Sequence, residues 1–573
     1  MPKFEDYFSD YAIIKRLCIA RIKHADTRHK QLFYRQISAD FRISESQEQI
    51  DFLPPRRQWK RFRNKRRDNT ADQNQNLVAL TRATMKLRSE HPQPQWAVRL
   101  SERINRIRSR ALTDKKFRFT PPTIAPIEKE KGSNEYRAIA RFELDDQIIE
   151  GISAKYLREL FDPYFSPSSL AFRCAQVGSP PPTHHDAVEL IQNYRRRHSR
   201  TGLFTAECDI RGFYDCVSHK TAWECLQKLT NEARSKKTDF QVHPQALRIF
   251  KAYLSCYSFT NLVKKRSPAL LKGKQKEGAR FPWPQGELRE FYRRPNSAAI
   301  GVPQGGALSC FIANCVLHQA DDRMELLRKK TGGPFSYLRY CDDMILLAPD
   351  KKVCRKVFVV YQKVLKELRL PIHTPELVRA YGKGLWSKKS RKPFLWGHPT
   401  IRSTVPWVQF VGYQMRHDGL IRVKTKSIAK HKAKILTETE RLLTIIKKAT
   451  AQVSGMPPVA CLRKSPKQIV HRFRQKLISV AVGRRAVHHD LRTSMPKCWA
   501  GGFKMVHGKK TPLNALKELD RFRERQIARV VRKLKNAPSV NTTGSPSRVR
   551  SPRYYGFPFS YVGQFLAGRK SKL

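Results

Sequence analysis

The chain has 573 residues, enough for two or three domains with a large core, and 40% hydrophobic with 10% aromatic residues is a globular composition that excludes a disordered polymer. Lysine and arginine number 113 against 48 aspartates and glutamates, a formal net charge of +65. A protein so basic repels itself unless a polyanion neutralises it, which calls for a nucleic-acid partner. Binding to a membrane surface is the competing use of such charge, but no stretch approaches the ~20 apolar residues needed to span a bilayer.

The N-terminal Met1-Pro2-Lys3-Phe4-Glu5-Asp6 lacks the basic start and apolar core of a signal peptide, so the expected location is cytoplasmic. Residues 1–130 read as a basic, mainly helical extension. Within it, Arg56-Arg57-Gln58-Trp59-Lys60-Arg61-Phe62-Arg63 interleaves aromatics with cations, a pattern suited to a phosphate backbone and base stacking, or to a solvated basic loop. From Trp96 the apolar residues Leu100, Ile104, Ile107 and Ala111 recur with arginines between them, predicting a helix with one buried stripe and one cationic face.

Residues 131–425 are richer in strand signals and carry the chemical motifs. Residues 426–536 turn helical and basic again. Ile428, Ile435, Leu442 and Ile446 make one stripe there; Leu516, Leu519, Ile527, Val530 and Leu534 make another, after a helix start at Thr511-Pro512. Residues 537–573 read as a Ser/Pro/Gly-rich linker and an aromatic tail, Tyr554-Tyr555-Gly556-Phe557-Pro558-Phe559, expected to dock on the body. The twelve cysteines show no Cys-x-x-Cys spacing, and neither His184-His185 nor His488-His489 has a cysteine partner, so no zinc site is expected.

The densest chemistry lies in Tyr337-Leu338-Arg339-Tyr340-Cys341-Asp342-Asp343-Met344-Ile345-Leu346-Leu347-Ala348, which reads as strand, tight turn bearing two acids, strand. An Asp-Asp pair in a hairpin is ordinary turn chemistry by itself. Yet burying unpaired carboxylates between apolar strands costs several kcal/mol, and a divalent cation would offset their repulsion. Upstream, Phe204-Thr205-Ala206-Glu207-Cys208-Asp209-Ile210-Arg211-Gly212-Phe213-Tyr214-Asp215 presents a further acid at a strand end, followed by two aromatics. Asp209, Asp342 and Asp343 together make a three-carboxylate set able to bind two Mg²⁺ ions for nucleotidyl transfer. Between them, Gly301-Val302-Pro303-Gln304-Gly305-Gly306 allows close backbone approach to a base or sugar, and Gln304 offers both a donor and an acceptor.

In this order and spacing the motifs resemble the reverse transcriptases, most closely the bacterial lineage related to group II intron proteins. Asp209 with Phe213-Tyr214-Asp215 is similar to the family's first palm motif, Gly301 to Gly306 through His318 to its second, and Arg339-Tyr340-Cys341-Asp342-Asp343 to its Tyr-x-Asp-Asp motif. Phe410-Val411-Gly412-Tyr413 resembles the primer-grip turn, while Arg137-Ala138-Ile139, Leu144 to Ile149 and Phe161 to Arg173 resemble the fingers segments. The resemblance implies an α+β right-hand polymerase: ferredoxin-like palm and fingers over 131–425, a helical basic thumb over 426–536, and the helical N-terminal extension. It implies metals at Asp209, the Ile210 backbone, Asp342 and Asp343 (two Mg²⁺, with Mn²⁺ as substitute). It further implies triphosphate and nucleotide contacts from Arg137, Phe213, Tyr214, Gln304 and Gly305, with Tyr214 as the gate against ribonucleotides. Arg56, Arg57, Lys60, Arg61, Arg63, Phe410, Gly412 and Tyr413 are the expected nucleic-acid contacts.

The implied function is RNA-directed DNA synthesis from dNTPs, with an RNA template or structured noncoding RNA, a DNA product and a partner protein or second copy as partners. An anti-phage defence role is the preferred context, and a group II intron maturase assisting splicing is the alternative. The chain departs from the family in three places. The fourth motif's usual lysine is absent from Leu370-Pro371-Ile372-His373-Thr374-Pro375-Glu376, residues 264–296 and 381–406 look inserted, and no Cys/His endonuclease module follows the thumb.

Overall fold

The computed structural model describes residues 3–35, 37, 51–55, 58, 73–130, 132–175, 180–273, 278–333, 335–378, 381–382, 385–386, 389–398, 405–449, 462, 465–486, 503–506, 510–535 and 557–560. These fall into two units. One comprises Met1–Ile13, Ser101–Val411 and Arg416–Gly419; the other comprises Ile14–Leu100, Gly412–Met415 and Leu420–Leu573.

In the first unit, β1 (Thr123–Glu128) and β2 (Tyr136–Arg141) pair as an antiparallel hairpin. The central sheet is built from β3 (Leu203–Cys208), β4 (Ser336–Tyr340), β5 (Asp343–Ala348) and β6 (Arg391–Trp396), in the order β4-β5-β3-β6. All three neighbouring pairs are antiparallel. With the long helices Ala307–Lys330 and Lys351–Glu367 between strands, the chain runs β-α-β-β-α-β. β5 is buried from Met344 to Ala348, which is why its sequence is an unbroken apolar run and does not alternate.

The helix Ala307–Lys330 is buried on most of its circumference because it packs against the helices Leu144–Phe161, His219–Lys236 and Lys351–Glu367. Asp350 caps the last of these by accepting the Val353 amide at 2.9 Å. The stripe predicted from Trp96 onward is a helix, Gln95–Leu112, with Ile104, Ile107 and Ala111 buried. Its cationic face is partly engaged within the protein: Arg103 and Arg106 clamp Asp145, and Arg110 pairs with the buried Asp146 at 2.8 Å.

In the second unit, β8 (Tyr413–Arg416) pairs antiparallel with β9 (Ile421–Val423); the preceding β7 (Trp407–Phe410) belongs to the first unit. The helices Thr425–Ala449, Pro466–Ala486 and Lys510–Lys535 pack together, and the predicted stripes face inward, with Ile435, Leu442, Leu516, Leu519 and Val530 fully buried. The helix Asp10–Arg35 brings Tyr34 to this bundle, where its hydroxyl donates to Glu438 beneath the Lys476 ammonium. Of the aromatic tail, Phe557 to Ser560 are described. Phe559 is buried with its amide on Asp520, so this part of the tail docks as its apolar content requires. No helix among the described residues is long and apolar enough to cross a membrane.

Candidate active site

The register Tyr340↔Asp343 leaves Cys341 and Asp342 as a two-residue turn between β4 and β5. Two-residue hairpins need a left-handed central residue to match the strand twist, and here a non-glycine supplies it: Cys341 has φ +61°. Such a conformation costs a residue with a Cβ about 1–2 kcal/mol, so something must hold it. Arg339 does. It is fully buried, donates through Nη1 to the Cys341 carbonyl at 2.8 Å, and through Nε to Asp321 Oδ1 at 2.8 Å. Ser169, Asn314 and the second Asp321 oxygen take its remaining N–H groups, and Tyr337 also donates to Asp321 at 2.8 Å. Burial works against the Arg339 charge, but Asp321 outweighs it and holds the guanidinium above its ordinary range.

Asp209 follows β3, whose antiparallel pairing with β5 carries both chains to the same end of the sheet: Cys208 lies opposite Met344, next to Asp343. Burial pushes the Asp342 carboxyl up from the usual carboxylate range, and Asp209 pushes the same way, while its own amide, Cys341 and Lys389 pull it down. Asp343 is exposed at the start of β5. Among the described residues no three His, Cys, Asp or Glu groups already converge as a metal cluster. The structure thus brings Asp209 and Asp342 into each other's field and leaves Asp343 at the rim. Asp209 Oδ2 is buried and receives no hydrogen bond of acceptable geometry, although His373 Nε2 and Lys389 Nζ stand 3.2 and 3.3 Å away. A carboxylate oxygen that receives no hydrogen bond and acts on a second acid at the same sheet end fits a divalent cation held by oxygen donors.

The segment that lacks the family's lysine does lie against the site. Ile210 bridges Ile372, and the His373 amide donates to the Asp209 carbonyl at 2.9 Å. Burial, then Lys389, pushes the His373 imidazole down to about 4, so it is neutral at physiological pH. The ammonium at this site comes instead from Lys389, in the stretch read as an insertion. Its neighbour Ser390 accepts the Asp209 amide through Oγ at 2.9 Å.

Phe213 is buried and its ring lies 5.2 Å from that of Tyr214. Tyr214 Oη meets Cys341 Sγ at 3.5 Å, which ties the aromatic after Asp209 to the acidic turn; burial raises this phenol far above its ordinary range. Gln304 Nε2 donates to Asp215 Oδ1 at 2.8 Å, and the Gln304 carbonyl accepts the Ala140 amide at 3.0 Å, which sets this turn beside β2 and its exposed Arg137. Burial pushes Asp215 up to about 7, against the Gln304 bond and the nearby Lys129 and Arg137. Gly301 has φ +99° and Gly305 φ +105°; a Cβ at Gly301 would stand 2.8 Å from Phe259 Cβ, so only glycine fits there.

Phe410 closes β7 and Tyr413 opens β8, with Gly412 at φ +88° in the turn. Arg56, Arg57, Lys60, Arg61 and Arg63 lie outside the described residues. Sequence reasoning missed Lys389, Ser390 and the Arg339–Asp321 pair. The first two had one sequence signal, the Lys388-Lys389-Ser390 run directly before the strand β6.

Residues 127–376, which contain this sheet end and all three carboxylates, match the family described as reverse transcriptase (RNA-dependent DNA polymerase). The chain carries a reverse transcriptase domain with a mixed helix-and-sheet fold, and its activity is that of an RNA-directed DNA polymerase. No curated protein sequence matches it significantly. Among solved structures, apo telomerase from Candida tropicalis is 11% identical over 80% of this chain and 73% of that one, with TM-score 0.36. Telomerase from Candida albicans is 14% identical over 81% and 73%, with TM-score 0.30. Likenesses this loose carry no argument.

Proposed function

We propose that the chain synthesises DNA on an RNA template by two-metal nucleotidyl transfer, with Asp209, Asp342 and Asp343 as the acids that hold the divalent ions. The observation that carries this reading is the convergence at one sheet end of Asp209, whose Oδ2 receives no hydrogen bond, and the half-buried Asp342, whose carboxyl the Asp209 charge acts on. When bound, Mg²⁺ would supply charge stabilisation at the attacking and leaving oxygens. The chain's own residues do the rest. Arg339 fixes the carbonyl of Cys341 and hence the turn, and Ser390 fixes the Asp209 backbone. Tyr214 walls the sugar side next to Cys341, and Gln304, braced on Asp215, faces the nascent pair with Gly305. Arg137, exposed on β2, meets the triphosphate.

In this reading the β-α-β-β-α-β sheet with its helices is a ferredoxin-like palm, the β1–β2 hairpin and the helices up to Arg197 are fingers, and the helices of 426–536 are the thumb. Phe410, Gly412 and Tyr413 grip the primer end, and the basic run Arg56, Arg57, Lys60, Arg61 and Arg63 contacts RNA. The net charge of +65 supports a structured RNA partner. On motif resemblance to the bacterial group II intron-like lineage, the setting is anti-phage defence with a noncoding RNA, the alternative being a maturase.

The test is primer extension on an RNA template with dNTPs and Mg²⁺. Asp342→Asn is expected to lower the rate at least about a hundredfold, since metal-borne charge stabilisation is worth several kcal/mol. Unchanged incorporation in that variant removes the assignment. Sequencing the RNA that co-purifies identifies the template and separates defence from splicing.

A further inference from the structure

The stretch read as an insertion contains a short segment that is built onto the carboxylate strand and its end at two points. Arg391 is 1% exposed, pairs with the buried Glu207 of β3, donates from Nη2 to the Leu385 carbonyl at 2.8 Å, and lies 5.1 Å over the Trp386 ring. Ser390 is equally buried; its Oγ accepts the Asp209 amide and its carbonyl accepts the Glu376 amide at 3.2 Å. The backbone on the C-terminal side of Lys389 is therefore fixed. Its side chain is 62% exposed and places Nζ 3.3 Å from Asp209 Oδ2, the oxygen that receives no hydrogen bond.

An ammonium and a divalent ion cannot both sit on that oxygen without like-charge repulsion at close range. The lysine is the partner that can leave, because it has a long flexible stem open to water, whereas His373 is tied through its backbone to the Asp209 carbonyl. The anion that the reaction then brings to the same place is the triphosphate of the incoming nucleotide. We propose that Lys389 is an exchange cation: it holds Asp209 in place before the metal arrives, yields the oxygen to the metal, and turns its ammonium onto the nucleotide's triphosphate. This rests on the metal-site reading of Asp209 and Asp342.

The experiment uses the full chain and two readouts. The first is Mg²⁺ binding to nucleotide-free protein by titration calorimetry, and the second is kcat and KM for dNTP on a primed RNA template. Lys389→Met removes the competitor, so Mg²⁺ is expected to bind about threefold tighter, the worth of one exposed ion pair. Its KM for dNTP is expected to rise about tenfold, the worth of one charge-assisted contact, with kcat changed far less. Lys389→Arg is expected to restore KM to within about threefold, since it keeps the charge but not the point geometry. If Lys389→Met alters neither Mg²⁺ affinity nor KM while Asp209→Asn abolishes Mg²⁺ binding, the exchange role is wrong and the metal site stands. If Asp209→Asn binds Mg²⁺ as well as the native chain does, the metal-site reading falls and takes the exchange role with it. If Lys389→Met loses kcat together with thermal stability, the residue is a structural brace and the proposal is overturned.

Discussion

Replacing Arg339 with methionine removes a guanidinium that is fully buried and makes five hydrogen bonds, to Asp321 twice and to Asn314, Ser169 and the Cys341 carbonyl. The carboxylate left behind, Asp321, is itself 0% exposed and keeps only the Tyr337 hydroxyl of this set. Breaking one side of a buried ion pair costs about 3–5 kcal/mol, because the abandoned charge stays desolvated. Against a total stability of about 5–15 kcal/mol this is severe, and it corresponds to a fall in Tm of roughly 6–20 °C. Removing both charges, as in Arg339→Met with Asp321→Leu, is expected to recover most of the stability, because no unpaired charge remains. It is not expected to recover DNA synthesis, since the Cys341 carbonyl still lacks its donor and the strained turn is no longer held. Urea denaturation of both variants, with primer extension on the same preparations, separates the two effects. A single variant within about 1 kcal/mol of the native chain would refute the argument, as surface-like tolerance is incompatible with a buried abandoned carboxylate.

Asp215 gives a pH signature. Burial raises its folded pKa to about 7, so its contribution to stability is fully present below the ordinary carboxylate range of ~4 and is lost as pH rises to about 7. Asp215→Asn should flatten that part of the metal-free stability curve, and an unaltered slope between those limits contradicts the burial account. Tyr214→Val opens the sugar side of the turn, and the preference for deoxynucleotides over ribonucleotides should fall by about tenfold to a hundredfold, measured as a ratio of kcat/KM values. Phe559→Ala empties a ring site 5.5 Å from the His431 ring and should cost about 3–5 kcal/mol of the second unit's stability, read by thermal unfolding; a loss below about 1 kcal/mol would mean that the tail is not docked in solution.

The carboxylates were legible in the sequence because their neighbours are local. Asp342 is defined by the strands that flank it, and Asp209 by the apolar run that ends in it. Helix stripes such as Ile435 to Ile446 were legible for the same reason, since periodicity is a short-range signal. What escaped was set by pairing at long range. Arg339 reads as one more of the chain's 113 lysines and arginines, and only the fold reveals Asp321, eighteen residues back, as its partner. The distance from Ser390 to Asp209 is 181 residues and that from Arg391 to Glu207 is 184, so a built part of the site looked like an insertion. The cationic face of Gln95–Leu112 looked free because Asp145 and Asp146 lie beyond a hairpin.

The cysteine in the acidic turn has a chemical consequence for its own reactivity. Burial, then Asp342, pushes the Cys341 thiol up to about 12. The thiolate is the form that reacts with peroxide, alkylating agents and disulfides, and this shift disfavours it at neutral pH. The ten cysteines among the described residues are all free thiols. The sulfur at the centre of the acidic turn is therefore held as the less reactive thiol, in a conformation that Arg339 fixes through the Cys341 carbonyl.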